Sequence, residues 1–259
     1  MLIDSHCHIP DKKYGMTPKE IVEDAKRAGV KKFISIGTSM REAEIVVSTA
    51  AQFPEVYPTL GIYPHEDQES SLEYLEKEFR KLLGKYKEEV IGIGECGIDI
   101  GSWEESRELS EQIKLFEMQI GLAKENSLPL IVHNRKGDKQ VLELLEKHSG
   151  IDLRGVVHCF DSDWEFAQKV LDLGFYISFS GLVTYPKKDS LLEVVRKVPM
   201  DKFLVETDAP WLPPQEFRGQ VNYPKYVRII AEKVAEIKEI EVSEVEKNTY
   251  RNTCSLFGI

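Results

Sequence analysis

Six side chains of this 259-residue sequence are candidates for binding divalent cations. They are four histidines and two carboxylates: His6, His8, Glu95, His133, His158 and Asp208. Imidazole nitrogens suit zinc and nickel, carboxylate oxygens suit magnesium and manganese, and a bound divalent ion activates water at neutral pH. If the fold brings these six groups together, we expect a metal-dependent hydrolase.

The number of candidate ligands predicts two metal ions rather than one. A single catalytic zinc ion takes about three protein ligands and keeps an open position, so six converging groups are too many for it. In two-metal sites the ions lie about 3.5 to 4 Å apart and clamp the attacking and leaving oxygens together. Glu95 is the natural bridge between them because it follows a central predicted strand. The pattern leaves the choice among Mg, Mn, Zn and Ni open.

The hydrophobic pattern supplies elements that would position these residues. Eight short apolar segments, each followed by an amphipathic stretch of helical length, are typical of parallel β/α units. The predicted strands are residues 2–6, 32–37, 56–61, 90–95, 130–133, 155–159, 175–180 and 203–207. Eight such units in about 250 residues indicate an α/β protein, a single (β/α)8 TIM barrel over residues 1–259 with the metal site at the C-terminal ends of its strands.

Alternation along the strands predicts which side chains share an ion. Successive residues of a strand point to opposite faces, so His6 and His8 lie on one face together. Cys7 must then face the helices, and the same parity places Cys96 and Cys159 behind the neighbouring ligands. We expect all three cysteines to be core residues rather than ligands.

Local signals predict several helices and one loop. Thr17, followed by Glu20 three residues later, has the spacing of a capping box. Residues 208–223 are interrupted by proline and glycine, which predicts a loop over the barrel mouth. Residues 224–240 and 242–257 predict two further helices, of which the second packs on the outside.

Composition excludes some classes of protein. The net charge of -10 argues against a general positive field that coats nucleic acid, so an anionic substrate would need a local positive site. The four cysteines form no CxxC pair, and no apolar run reaches the roughly 20 residues of a membrane span. The N-terminus lacks a basic segment followed by an apolar run. We therefore expect a cytoplasmic protein with neither a membrane nor an obligate protein partner.

Five motifs carry a resemblance to a known family. They are Asp4-Ser5-His6-Cys7-His8, Gly92-Ile93-Gly94-Glu95-Cys96-Gly97-Ile98-Asp99, His133-Asn134-Arg135, His158-Cys159-Phe160 and Glu206-Thr207-Asp208-Ala209-Pro210. In this order, over nearly the whole chain, they resemble the TatD family of metal-dependent deoxyribonucleases, within the amidohydrolase-type barrels. The resemblance implies cleavage of phosphodiester bonds in DNA, in the manner of an exonuclease, by water activated by two metals.

The resemblance also implies roles for individual residues. One ion would be held by His6, His8, Glu95 and Asp208, and the other by Glu95, His133 and His158. Asp208 would also serve as general base, and Arg218, in the loop after strand eight, would face the substrate phosphate. Many members have His-Pro-His after strand three, where this chain has Tyr63-Pro64-His65, so only His65 is carried over as a phosphate contact.

The predicted substrate is DNA or another nucleic acid that binds transiently. Positive side chains follow several predicted strands: Lys12, Lys13, Arg135, Lys136, Lys139, Lys187, Lys188 and Arg218. Such a local ring would attract a polyanion to an acidic protein, with Arg135 as a third phosphate contact. Tyr63, Trp103 and Trp211 are candidates for stacking on unpaired bases, although each is equally suited to covering apolar surface.

Two alternatives compete with the nuclease. The same metal chemistry would serve an amidohydrolase-type esterase or amidase, including a D-aminoacyl-tRNA deacylase that removes a misplaced amino acid from transfer RNA. Relatives of the phosphotriesterase type bridge their metals with a modified lysine, where this chain offers Glu95. The second alternative is a barrel that has lost catalysis, which predicts missing ligands, and none of the six is missing.

Overall fold

Strands and helices alternate through the computed structural model of the protein, which describes residues 1–101, 106–150 and 152–259. In the described part, one parallel sheet has the order β1 to β8, which confirms the predicted barrel. The strands are β1 (Leu2–Cys7), β2 (Val30–Gly37), β3 (Val56–Leu60), β4 (Ile93–Asp99), β5 (Leu130–Arg135), β6 (Gly155–Val157), β7 (Tyr176–Phe179) and β8 (Phe203–Val205). The helices are α1 (Pro18–Arg27), α2 (Ala43–Ala50), α3 (Leu72–Lys85), α4 (Leu109–Asn126), α5 (Asp138–His148), α6 (Trp164–Asp172), α7 (Asp189–Lys197), α8 (Val227–Lys238) and α9 (Val242–Phe257). Among these residues, no helix combines the length and apolarity needed to cross a membrane.

Apolar side chains fill the barrel interior and a second layer between strands and helices. The interior cluster consists of Ile34, Ile36, Ile131, Val156 and Leu204, joined by Leu256 and Phe257 of α9. Asn252 of α9 donates to the carbonyl oxygens of Met200 and Phe203, which lie where β8 begins. The predicted bounds of α9, residues 242–257, are confirmed. Its contacts with β8 place the helix over the N-terminal end of the barrel. The opposite end stays available for the candidate ligands.

Several predicted bounds change. The predicted helix over residues 224–240 is divided into a 3-10 turn, Pro224–Tyr226, and the shorter α8. The predicted capping box of Thr17 and Glu20 is present at the start of α1. β4 was predicted at residues 90–95 but extends to Asp99. Its glycines do not end the strand. A Cβ on Gly97 would lie 2.0 Å from the carbonyl oxygen of His133, so glycine is required where β4 approaches β5. Glu95 therefore lies inside a strand rather than at its end.

β1 and β8 meet to close the barrel. Cys7 and Ala209 form a parallel bridge, and the backbone N–H of His8 donates to the Ala209 carbonyl at 2.8 Å. The N–H of Asp208 donates to the His6 carbonyl at 2.9 Å. These bonds place the two N-terminal histidines beside Asp208.

Asp4 strengthens the same closure from inside. Its carboxyl accepts hydrogen bonds from the Thr207 N–H at 2.9 Å and from the Thr207 hydroxyl at 2.5 Å. Burial raises the pKa of Asp4 to about 8, although the bonds from Thr207 oppose this shift. The side chain therefore bridges the two strands chiefly as a neutral acid at pH 7.

We expect Asp4→Ala to lower the free energy of unfolding by about 2 to 4 kcal/mol, because it leaves two buried donors of Thr207 without their acceptor. Urea unfolding in the presence of a chelator measures this loss without a contribution from bound metal. Asp4→Asn, which keeps an acceptor and stays neutral, should lose less than half as much. Equal losses in the two variants would contradict this role.

Candidate metal centre

Glu95 lies at the centre of the six predicted side chains. Its Oε1 is 2.7 Å from His133 Nδ1 and 3.0 Å from His158 Nε2. Its Oε2 is 3.3 Å from His6 Nε2. The two oxygens of one carboxylate thus have different imidazole neighbours, as a bridging ligand requires.

Asp208 and the two N-terminal histidines form the other half of the cluster. Asp208 Oδ1 is 3.5 Å from His6 Nε2 and 3.7 Å from His8 Nε2. Both histidines lie on the side of Asp208, as the alternation predicted, although β1 ends at Cys7 and His8 follows it. Cys7 points away from them, and its thiol donates to the Ile34 carbonyl in the layer beneath the helices.

The donor set fits divalent cations. Two groups have ligand atoms that all lie within 4.8 Å of one another: His6 with Glu95 and His158, and His6 with His8 and Asp208. His6 is completely buried, and neither of its ring nitrogens has a hydrogen-bond partner among the described residues. A buried polar atom without a partner is costly. Since two carboxylates face Nε2, a cation between them would satisfy that nitrogen.

A second layer of carboxylates orients two of the histidines. His133 Nε2 lies 3.1 Å from Asp99 Oδ2, and His158 Nδ1 lies 3.2 Å from Glu206 Oε1. Each ring therefore turns its opposite nitrogen toward Glu95. Partners of this kind fix the tautomer and raise the basicity of a metal-binding imidazole. The sequence motifs contain Asp99 and Glu206, but sequence reasoning assigned them no role.

Tyr63 belongs to the same layer. Its hydroxyl donates to Asp99 Oδ2 at 2.5 Å, and its ring lies edge-on to that of His133, with 4.8 Å between the centroids. The expectation that Tyr63 stacks on bases gains no support from this position. The other aromatic candidate, Trp103, lies outside the described residues.

The protonation of the cluster follows from burial and neighbouring charge. Burial lowers the pKa of His6, and His158 lowers it further. For His158, burial is outweighed by Glu95 and Glu206, which raise its pKa well above the ordinary value. The pKa of His133 is also raised, because its carboxylate partners outweigh burial. Burial favours the protonated form of Glu95, but the surrounding histidines hold its pKa well below the usual range.

We expect metal affinity to fall as the pH decreases through the raised pKa values of His133 and His158. A metal binds the neutral imidazole, so below these values protons compete with the ion, and above them the competition disappears. Calorimetric titration in buffers of different ionisation enthalpy should reveal proton release on binding near neutral pH. Affinity that is constant between about pH 6 and pH 8 would contradict this protonation scheme.

We expect Asp99→Asn to weaken metal binding by about 10- to 100-fold, the usual cost of removing a carboxylate partner of a ligand histidine. Asn134→Ala is the matched control. Asn134 lies next to His133 on β5, but its side chain donates to Asp138 rather than to the cluster. Competition with a chromophoric chelator measures both affinities. Unchanged affinity in Asp99→Asn would show that Asp99 does not orient His133.

A cavity of about 1450 Å³ opens above the cluster, and the three predicted phosphate contacts differ in their relation to it. His65 and Arg135 line the cavity, but Arg218 is not among the residues that line it. The guanidinium of Arg218 instead lies 4.9 Å from the ring centroid of Tyr185. His65 Nδ1 accepts a hydrogen bond from the Arg107 N–H, and burial lowers the pKa of His65. His65 therefore faces the cavity as a neutral imidazole.

The charge around the cavity is mixed rather than a positive ring. Its basic side chains are Lys12, Arg41 and Arg135, whereas its acidic ones besides the cluster include Asp11, Glu42, Glu66, Asp67, Glu69 and Asp161. Lys188 forms an ion pair with Asp161 at 2.6 Å, and Lys139 lies 3.8 Å from Glu143. Part of the predicted positive charge is thus already compensated within the protein.

Cys159 packs against the apolar core, as predicted, but it is only partly buried. Because β6 ends at Val157, strand alternation no longer governs Cys159, whose backbone takes a left-handed conformation with φ of 44°. Its side chain lines the cavity and lies 3.0 Å from the Ser180 hydroxyl. Asp208 also has a positive φ, 59°. Such conformations are uncommon outside glycine and concentrate at functional sites.

Comparison with known proteins gives one consistent relationship. A family model described as TatD related DNase matches residues 3–258. An uncharacterized metal-dependent hydrolase of Bacillus subtilis, YabD, is 34% identical over 259 residues, 100% of both chains. Another, YcfH of Escherichia coli, is also 34% identical, over 100% of this chain and 96% of the relative.

Solved structures agree with the fold. The crystal structure of YjjV, a TatD homologue from Escherichia coli, superposes with a TM-score of 0.93 at 28% identity and covers 100% of this chain and 98% of its own. A TatD family hydrolase from Entamoeba histolytica reaches a TM-score of 0.87 at 21% identity, over 99% of this chain and 97% of its own. The second likeness concerns the fold alone.

Proposed function

Because the chain belongs to the TatD-related DNase family, we propose that it is a metal-dependent hydrolase that cleaves phosphodiester bonds in DNA or another nucleic acid. One observation carries the proposal. Glu95 Oε2 lies near His6 and Oε1 lies near both His133 and His158, beneath a wide cavity. This arrangement is suited to two ions that share one carboxylate.

We assign the ligands as follows. One ion would be held by His6, His8, Glu95 and Asp208, and the other by Glu95, His133 and His158. When bound, two divalent ions supply a water of lowered pKa and stabilise negative charge on the phosphoryl oxygens. Asp99 and Glu206 keep the imidazoles of His133 and His158 in the orientation that faces Glu95.

Asp208 is assigned the proton-transfer step. Its carboxylate lines the cavity and lies beside His6 and His8, where an attacking water would lose its proton. The backbone bond from its N–H to the His6 carbonyl fixes its position. A carboxylate held in this way acts as a general base.

Two side chains of the cavity wall are suited to the phosphate. Arg135 lines the cavity at the end of β5 and has a guanidinium, whose planar fork matches a phosphate. His65 lines the same cavity, and its Nδ1 accepts a hydrogen bond from the Arg107 N–H. Arg218 has no comparable support, because it lies over Tyr185 rather than in the cavity.

The test is incubation of chelator-treated protein with single-stranded DNA labelled at either end, after Mg, Mn, Zn or Ni is added back. Stepwise loss of mononucleotides from one end is the expected result. The variant His133→Ala, assayed in parallel, excludes a contaminating nuclease. No cleavage with any of the four metals would overturn the nuclease proposal.

A second candidate is hydrolysis of an ester or amide that carries a positive group, such as an aminoacyl ester of transfer RNA. The acidic side chains after β2 and β3 favour it, because Glu42 and Glu66 would repel a phosphate chain and attract an amine. Release of amino acid from aminoacyl-tRNA without loss of nucleotides would favour this candidate over the nuclease.

A further inference from the structure

Trp211 lies at the cavity mouth and is more exposed to solvent than tryptophan residues usually are. Its side chain lines the cavity, and the residue is 46% exposed. Large aromatic side chains are usually buried, so an open indole beside a reaction centre suggests a contact surface.

The backbone of Trp211 is fixed to the segment that carries Asp208. Its N–H donates to the Asp208 carbonyl at 2.8 Å, and its own carbonyl accepts from the Asn222 amide at 2.5 Å. Asn222 is completely buried and also donates to the Thr207 carbonyl. Trp211 is therefore anchored close to the candidate ligand Asp208.

A cation lies over the indole. The Lys13 ammonium is 3.4 Å from the ring centroid of Trp211, within the range of a cation–π interaction. Lys13 belongs to the 3-10 turn Lys12–Tyr14, whose first N–H groups are capped by Asp11. The ring and the positive charge thus come from the loops after β8 and β1 and form one composite surface.

Other exposed apolar side chains lie nearby. Among the described residues, the exposed large hydrophobic side chains are Met1, Ile45, Tyr74, Ile100 and Trp211. Ile45 also lines the cavity, and Ile100 follows Asp99 at the end of β4. At the position of Trp211, the mouth therefore combines an exposed aromatic ring with the positive charge of Lys13, which suits a ligand with flat apolar rings and phosphates.

We propose that Trp211 and Lys13 form a stacking platform for one unpaired nucleobase, with the Lys13 ammonium beside the phosphate attached to it. This inference rests on the proposed function, since it takes the substrate to be a nucleic acid. Aromatic side chains bind bases with little sequence preference, because every base has a π face. A duplex cannot offer a free base face without unpairing, so the platform selects single strands.

The experiment compares a short oligothymidylate with the same strand carrying an abasic site at each position in turn. Binding is followed by fluorescence anisotropy in the presence of a chelator, so that no strand is hydrolysed. Trp211→Leu should raise Kd for the intact strand by about 5- to 100-fold and leave it unchanged for the strand that lacks the stacked base. Lys13→Met should lower the salt dependence of binding by about one phosphate contact.

The chain offers matched controls. Lys197 lies 5.4 Å from the ring centroid of Trp164 on the outer helices, so Lys197→Met removes a similar pair away from the cavity and should leave Kd unchanged. Binding of the intact strand should quench tryptophan emission in Trp164→Phe, which keeps Trp211. The quenching should be weaker in Trp211→Leu, which lacks the stacking ring.

Two results would overturn the platform: equal loss of affinity for intact and abasic strands in Trp211→Leu, or no loss for either. Failure of the proposed function is a separate outcome. If no metal supports cleavage but base-dependent binding is lost in Trp211→Leu, the platform stands and the nuclease proposal falls.

Discussion

Glu95→Gln should abolish hydrolysis and weaken metal binding by more than about 100-fold. Removal of a carboxylate that only orients a ligand histidine already weakens metal binding by about 10- to 100-fold, and Glu95 is itself an assigned ligand. Gln keeps the shape of the side chain but provides only one oxygen and no charge, whereas Glu95 presents Oε1 to His133 and His158 and Oε2 to His6. Both ions would lose a ligand at once. Metal content after dialysis and the rate of hydrolysis are the two readouts.

Glu117→Gln is the matched control for this substitution. Glu117 also binds an imidazole, with Oε1 2.6 Å from His148 Nε2, but it lies on α4 outside the cavity. This variant should retain wild-type activity and metal content. If Glu95→Gln kept two tightly bound ions, Glu95 would not be the bridge.

We expect Asp208→Asn to reduce hydrolysis by about 100- to 10,000-fold, the range that general-base catalysis contributes. Asn retains an oxygen toward His6 and His8 but cannot accept a proton from water. The ion assigned to His133 and His158 should stay bound, because Asp208 does not share a group of close ligand atoms with either histidine. Single-turnover rates with saturating metal separate this loss from weaker metal binding.

The control for this position is Asp161→Asn. Asp161 also lines the cavity, but its carboxylate is bound to Lys188 rather than to the histidines. Its hydrolysis rate should remain within about threefold of the wild type, a difference of less than about 1 kcal/mol in the barrier. A rate equally low in both variants would mean that cavity charge, rather than proton transfer at Asp208, causes the loss.

The six candidate ligands could be predicted because strand order and parity are encoded locally. His6 and His8 share a parity, and the structure places both beside Asp208. The same rule does not explain why Cys159 also lines the cavity, since its strand ends two residues earlier and the backbone turns into a left-handed conformation. Strand ends depend on pairing with neighbouring strands, which the local pattern does not contain.

The orienting carboxylates show the same limit. Asp99 lies four residues after Glu95 and therefore shares its parity, but the predicted strand ended at Glu95. Gly97 is demanded by close approach to His133, a contact between two strands. Which ring nitrogen of a histidine faces a carboxylate likewise depends on contacts between residues that are far apart in the sequence. Glu206 could be singled out only once His158 was placed beside it.

The most direct test of the account is the number of ions bound per chain. Metal-stripped protein is reconstituted with Zn or Mn, dialysed, and measured by elemental analysis against protein concentration, for the wild type and for His133→Ala. We expect two ions in the wild type and one in His133→Ala, because the group of His6, His8 and Asp208 stays complete without His133. One ion or none in the wild-type protein would contradict it.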